Sequence, residues 1–133
     1  MKSEKCLLIE QIQKHIMAEK VIVDKSYLLA LKITKFCLEM QDKRREFVIS
    51  RQLLKSSTSV GANIEEAQGA ISKAEFIMKV QIAYKEAIET RYWLRLIKDA
   101  EVYQDENSEQ ILKDCNEIIF IITAILKSSR LLN

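Results

Sequence analysis

Few residues in this 133-residue chain have the chemistry that catalysis or metal binding needs. His15 is the sole histidine, and the three cysteines, Cys6, Cys37 and Cys115, are far apart. A di-iron helical bundle uses Glu-x-x-His pairs, but no glutamate stands three residues to either side of His15. A zinc site would need the histidine and all three cysteines to converge. The chain also lacks a glycine-rich phosphate loop and a second histidine to activate a nucleophile. We therefore predict no metal, no cofactor and no catalytic residue, and we expect that the protein is not an enzyme.

Positive charge is the best candidate for binding chemistry. Lys43, Arg44 and Arg45 are consecutive, and Arg51 and Lys55 follow in the next predicted helix. Cationic clusters bind nucleic-acid phosphates whatever the base sequence, so these five residues form a candidate nucleic-acid site. A solvated turn is the alternative, because a run of charge does not by itself specify a ligand.

The charge is unevenly distributed, although its sum is only +2. Seven basic residues oppose three acidic ones between residues 32 and 55, a balance of +4. Three basic residues oppose seven acidic ones between residues 99 and 133, a balance of −4. The basic segment could therefore attract a nucleic acid, an acidic partner or the acidic segment of a neighbouring subunit.

Two other polar features are compatible with either binding or packing. Asn63 falls at the core-facing edge of its predicted helix, where a buried amide needs a hydrogen-bond partner. It either fixes the register between helices or subunits, or contacts a ligand. Tyr92 and Trp93 stand between Arg91 and Arg95, a pattern that can stack on nucleotides but also suits a packed interface.

The elements that position these residues are predicted to be long helices. The chain has no proline and only two glycines, whereas sheets need frequent turns. Apolar spacing predicts a helical extension over residues 1–23, a break near Val21–Asp24 with Asp24 or Ser26 as N-cap, and a bundle over residues 24–133. The fold class is all-α: an antiparallel up-and-down four-helix bundle with an extra N-terminal helical segment. The predicted bundle helices are about Ser26–Met40, Glu46–Gln68, Ser72–Glu101 and a last helix with its N-cap at Asp105.

Apolar stripes predict the buried faces of these helices. Gly69 ends the second bundle helix, and an S-x-x-E capping box at Ser72–Glu75 opens the third. A heptad pattern then runs from Phe76 to Ile97. The stripe of the first bundle helix contains Tyr27, Leu31, Thr34 and Leu38.

The last helix is apolar nearly all round between Ile118 and Leu126. A bundle core covers one face of a helix, so a second partner is implied. Leaving several isoleucine and phenylalanine side chains in water would cost several kcal/mol at about 25 cal/mol per Å². We therefore predict an oligomer contact at Ile119, Phe120, Ile121 and Leu126.

Cysteine usage and apolar runs predict a cytoplasmic protein with no membrane partner. Three separate thiols suit a reducing compartment. The longest apolar stretch is about half of the roughly 20 residues that a membrane span needs.

Two segments together resemble a known family. They are Ser59-Val60-Gly61-Ala62-Asn63-Ile64-Glu65-Glu66-Ala67 and Ser72-Lys73-Ala74-Glu75-Phe76. They resemble the four-helix-bundle proteins encoded by intervening sequences in bacterial 23S ribosomal RNA genes, and Ile82–Ala87 and Tyr92–Ile97 fit one branch of that family. The resemblance runs from about Val21 to Arg130, although many relatives carry proline at the position of Gly61 and glycine at that of Ala67. It implies structural roles for Asn63, Glu66, Gly69, Ser72, Glu75 and Phe76.

The resemblance also implies an assembly. Such bundles form homo-oligomeric rings, which leads us to expect a pentamer whose first partner is a second copy of the chain. The chain is also similar to accessory proteins of diversity-generating retroelements, which form basic pentamers that bind reverse transcriptase and nucleic acid. The resemblance supplies no catalytic residue. Our hypothesis is therefore an oligomeric adaptor for RNA or a nucleic-acid-binding protein, and the alternative is a purely structural assembly without a nucleic-acid ligand.

Overall fold

Four helices in chain order build the protein. A computed structural model describes residues 1–131, with Leu131 described by its backbone alone. The helices are α1 (Glu4–Arg44), α2 (Val48–Gln68), α3 (Lys73–Asp99) and α4 (Ser108–Leu131). α1 packs on α2 and α4, and α3 packs on the same two helices, so α1 and α3 are diagonally opposite. Short connections make consecutive helices antiparallel. The predicted all-α class is confirmed, since residues 1–131 contain no strand.

The two ends of the bundle carry different connections. The α1–α2 turn and the α3–α4 loop lie at one end, called here the basic end (residues 43–51 and 98–109). The α2–α3 loop lies at the other end. The predicted cationic cluster thus shares its end of the bundle with the longest loop between the helices.

α1 is one continuous helix of 41 residues, about 60 Å long at 1.5 Å per residue. The predicted break near Val21–Asp24 is therefore wrong, and neither Asp24 nor Ser26 is an N-cap. No glycine or proline interrupts this stretch, and the Ser26 hydroxyl donates to the Val23 carbonyl at 3.2 Å instead of capping. The N-terminal extension is the first part of α1, and its first three turns are largely exposed.

The core lies between the four helices and uses a face of α1 that the sequence reading did not select. The buried residues of this face include Ile22, Leu29, Ile33, Phe36 and Met40. The stripe chosen from the sequence lies on the outer face, where Tyr27 is 61% exposed and Leu38 is 56% exposed. α1 therefore has two apolar faces, and periodicity alone does not tell which one the bundle covers.

The ends of α2 and α3 largely follow the sequence prediction. Ser72 Oγ accepts a hydrogen bond from the Glu75 backbone N–H at 3.1 Å, which confirms the capping box. α2 ends at Gln68 with Gly69 as its C-cap, and the φ of −95° at Gly69 is open to any residue. The heptad residues Val80, Ala83, Ala87, Thr90, Leu94 and Ile97 are all buried.

α4 begins two residues later than predicted. The Asn107 carbonyl accepts from the Ile111 N–H at 2.9 Å, so Asn107 rather than Asp105 starts the helix. The Asp105 carboxylate instead accepts from the Asn107 N–H and the Ser108 hydroxyl. Asp105 therefore orders the loop before the helix.

Most of the apolar surface of α4 is covered within the single chain. Ile119 and Leu126 are buried, Ile121 is half-buried, and Phe120 alone of the four predicted contact residues is exposed, at 75%. α4 packs against both α1 and α3, so its covered arc is wider than one face. The predicted oligomer contact at Ile119 and Leu126 is therefore wrong, because the chain itself covers these two side chains.

No helix within residues 1–131 combines the length and apolarity that crossing a bilayer requires.

Candidate nucleic-acid interface

Two arginines of the basic end lie against the ring of Phe47. The Cζ atoms of Arg45 and Arg51 lie 5.9 and 5.6 Å from the centroid of the Phe47 ring, within cation–π range. Lys43 and Arg44 occupy the last turn of α1, directly before Arg45. The structure therefore brings four of the five predicted cations to one turn that contains an exposed aromatic ring. Sequence reasoning missed Phe47, although an aromatic residue between arginines was a usable signal.

Glu46 is an acidic residue within this positive turn, but backbone N–H groups of α2 donate hydrogen bonds to its carboxylate. Its carboxylate accepts hydrogen bonds from the N–H groups of Val48 (3.0 Å), Ile49 (2.8 Å) and Ser50 (2.8 Å). Partial burial works to raise the pKa of Glu46, yet these hydrogen bonds outweigh burial and hold that pKa below its ordinary value. Glu46 therefore caps α2 as an anion, which Phe47 at the N-cap position does not do.

Lys55 lies on α2 one turn beyond Arg51, on the side of the helix that meets carboxylates of α3. Burial and the nearby Glu89 raise the pKa of Glu86, while the charge of Lys55 acts to lower it. Lys55 thus lies near carboxylates of α3. Within residues 1–131, Lys43, Arg44, Arg45 and Arg51 form no ion pair.

Part of the charge asymmetry along the chain is neutralised inside the bundle. Lys32 of α1 lies 2.8 Å from a carboxylate oxygen of Asp114 on α4, and Lys25 pairs with Glu117. Partial burial acts to raise the pKa of Asp114, but its hydrogen bonds to Lys32 and Gln110 lower it overall. The acidic segment therefore meets basic residues of its own chain, which weakens the case for charge pairing between subunits.

Both connections at the basic end contain a charged residue in the left-handed backbone region. Arg45 has φ 52° and Glu101 has φ 53°, and they are the two non-glycine residues with positive φ within residues 1–131. The left-handed conformation costs an L-residue roughly 1–2 kcal/mol, so glycine would be more stable at both positions. Neither glycine of the chain occupies such a position. Charged side chains thus stand where stability alone favours glycine.

The candidate catalytic and metal residues stay apart. Burial and, less strongly, Glu46 raise the pKa of Cys37 to about 12, and burial raises that of Cys115 to about 12. His15 contacts Ser128 of α4 and lies 2.7 Å from a carboxylate oxygen of Glu19. Residues 1–131 contain no group of three His, Cys, Asp or Glu side chains that could hold a metal. His15 instead connects the N-terminal part of α1 to α4 through its contact with Ser128.

The residues of the family-like motif line the α2–α3 end, away from the basic end. Glu66 pairs with Lys79 at 3.1 Å, and this ion pair links α2 to α3. Asn63 is half-buried, and its amide donates to the Ser59 carbonyl of its own helix at 2.8 Å. The predicted contact of Asn63 with another helix is therefore absent from the described part of the chain. Phe76 is half-buried with its ring near His15. Asn63, Glu66 and Phe76 thus contact residues of their own chain.

The outer faces of α1 and α3, two diagonally opposite helices, each carry exposed apolar side chains. The outer α1 stripe is Tyr27, Leu31, Thr34 and Leu38. The outer α3 stripe is Met78, Ile82 and Tyr92, followed by the half-buried Leu96. Tyr92 is 55% exposed, and its ring meets that of Trp93 edge-on at 4.9 Å. The outer α3 stripe escaped the sequence analysis because Lys85 and Glu89 interrupt its heptad spacing.

These features define a class of protein: an all-α, up-and-down four-helix bundle with a cationic end. A model of the 23S rRNA-intervening sequence protein family matches residues 18–124, so the chain belongs to that family. A crystal structure of a protein with unknown function from the S23 ribosomal protein family of Bacteroides thetaiotaomicron is 43% identical, with a TM-score of 0.79. The match covers 83% of this chain and 98% of that one. No curated protein matches the chain. The first 17 residues lie outside the family match.

Proposed function

We propose that this chain is a non-enzymatic, homo-oligomeric adaptor that binds RNA through its basic end. The observation that carries the proposal is the turn at Arg45–Arg51, where exposed cations without ion pairs surround Phe47. Arginines supply phosphate contacts, and an aromatic ring offers a surface for an unstacked base. The family's connection with ribosomal RNA genes is consistent with an RNA ligand.

The outer stripes support self-association into a ring. They lie on diagonally opposite helices, so the α1 stripe of one copy can pack on the α3 stripe of the next. A contact between two different patches is heterologous, and such contacts close into rings when the rotation allows. The pentamer implied by the sequence resemblance is a ring of this kind.

A cyclic ring would also strengthen RNA binding. Cyclic symmetry places equivalent ends of all subunits on the same face of the ring. Five basic ends would then act together on one strand, and multivalent attachment raises affinity without any new contact.

RNA binding is tested by fluorescence anisotropy with a labelled RNA that has hairpin and single-stranded segments, at 50–200 mM salt. Four phosphate contacts give a slope of about −2.8 in log K against log salt, or about a 50-fold loss of affinity over this range. Reversal of the charges of Lys43, Arg44 and Arg45 to glutamate should abolish most of the binding.

The matched control reverses three exposed lysines elsewhere, Lys5, Lys14 and Lys127, and so changes the net charge equally. Loss of affinity in both triple variants to the same extent would mean that only total charge matters. An absence of binding by the wild type at 50 mM salt would refute the RNA proposal and leave the structural assembly.

The ring is tested by light scattering after size-exclusion chromatography. Leu38→Lys on α1 and Tyr92→Lys on α3 should each break the ring, whereas Phe120→Lys on α4 should not. A mixture of the two breaking variants retains one intact contact per pair and should yield heterodimers. Unchanged mass in Leu38→Lys, or dissociation of the wild type by salt alone, would favour assembly through charge pairs.

A further inference from the structure

A cavity of about 490 Å³ opens at the basic end, between α1, α3 and α4. Its apolar lining comes from Phe36, Leu94, Ile97 and Leu112. Sites for small organic molecules usually measure about 300–1,000 Å³ and have mostly apolar walls with a few polar groups. The cavity is therefore of a size and polarity that suit a ligand.

The charged groups of this cavity are of both signs. Arg44 and Lys98 contribute cations, and Glu101 and Glu109 contribute carboxylates. Within residues 1–131, Arg44, Lys98 and Glu101 form no ion pair, and Glu109 lies 3.8 Å from the exposed Lys113. A ligand that satisfies this set needs an apolar body, an anionic group and hydrogen-bond donors.

We propose that this cavity binds one nucleotide, with the base against the apolar lining and the phosphate at Arg44 and Lys98. The proposal rests on the proposed function where the nucleotide belongs to an RNA strand, and a free mononucleotide offers the same chemistry. Arg44 lines the cavity and directly precedes Arg45 of the cationic turn, so one strand can reach both. Recognition of a base that leaves the stack is the usual way proteins read single-stranded RNA.

The two carboxylates determine which base fits. Carboxylates accept hydrogen bonds from exocyclic amino groups, such as N4 of cytosine. Uracil presents a carbonyl oxygen at the same position and would face the carboxylates with an acceptor. The cavity therefore prefers cytosine to uracil, although oligomers of the two carry the same charge.

The backbone at Glu101 agrees with a role for its side chain. The N–H of Val102 bonds to the Ile97 carbonyl at 3.0 Å, and the N–H of Glu101 bonds to the Lys98 carbonyl at 3.1 Å. These bonds form a Schellman motif, whose left-handed position is normally glycine. Glu101 holds that position at φ 53° and lines the cavity.

The test measures binding of fluorescein-labelled 12-residue oligo(C) and oligo(U) RNA by anisotropy, and of CMP and UMP by calorimetry. We expect about tenfold tighter binding of oligo(C) than of oligo(U) by the wild type. Glu101→Gln should remove this preference, whereas Glu106→Gln, an exposed glutamate in the same loop, should retain it. Leu112→Trp should also remove the preference, because it fills the cavity at constant charge; circular dichroism checks its fold.

The outcomes separate the two proposals. Equal binding of both oligomers together with no binding of CMP overturns the cavity proposal and leaves RNA binding intact. CMP binding that Glu101→Gln abolishes, without binding of either oligomer, supports the nucleotide site and refutes RNA binding. No binding of any of the four probes overturns both.

Discussion

Replacement of Glu101 by glycine should stabilise the fold and weaken nucleotide binding in one step. A left-handed conformation costs an L-residue roughly 1–2 kcal/mol relative to the right-handed one. Glycine also loses more conformational entropy on folding than other residues, and this loss offsets the gain by about 0.5–1 kcal/mol. The net gain over a non-glycine residue is therefore about 1 kcal/mol. For 133 residues, at about 2.1 cal/mol/K per residue, the unfolding entropy is about 0.28 kcal/mol/K, so Tm should rise by about 3–4 °C.

Glu101→Ala provides the matched comparison, because it removes the carboxylate but keeps a Cβ at φ 53°. In thermal unfolding followed by circular dichroism, the Tm of the glycine variant should exceed that of the alanine variant by about 3–4 °C. Both variants should lose the preference for oligo(C) equally. A glycine variant no more stable than the alanine variant would refute the strain argument, and a glycine variant that keeps the preference would refute a role for the carboxylate.

Three further predictions concern other parts of the chain. The pKa of Glu46 lies below its ordinary value of 4.5, so its contribution to stability is complete above that pH and is lost as the pH falls through the folded value. Glu46→Gln should cost about 1 kcal/mol at pH 7, and urea midpoints should show this deficit shrinking in acid. Gly61→Ala should raise the free energy of unfolding by about 0.5–1 kcal/mol, because its Cβ would meet the nearest α1 carbonyl oxygen at an ordinary 3.6 Å; a destabilised variant would contradict this. Ellman's reagent at pH 8 should react quickly with exposed Cys6 alone, since burial raises the pKa of Cys37 and Cys115 to about 12; fast modification of two or three thiols would contradict the burial.

The bundle was predictable because its local signals agree with its packing. The capping box at Ser72 and the heptad pattern after Phe76 identify α3 almost to the residue. Periodicity failed on α1 because both of its faces are apolar, and the choice between them depends on where α2 and α4 pack. The predicted break failed because Asp24 and Ser26 resemble capping residues, whereas a helix supported by two neighbours continues through such residues.

The candidate site was predictable only in its charges. A run of lysine and arginine is visible in the sequence, and four of its five members share one turn. The placement of Phe47 between Arg45 and Arg51 depends on the turn geometry. Arg44 and Glu101 meet at one cavity because α1 and α3 run parallel, which brings their C-terminal ends to the same end of the bundle although they are distant in sequence. The cavity has no local signature, whereas an aromatic residue between arginines is visible in the sequence.

Hydrogen–deuterium exchange with and without oligo(C) RNA tests the central claim most directly, because it locates the bound RNA on the protein. The account predicts slower exchange at the α1–α2 turn and the α3–α4 loop, and unchanged exchange at the α2–α3 loop. Slower exchange confined to the α2–α3 loop, or no change anywhere, would contradict RNA binding by the basic end.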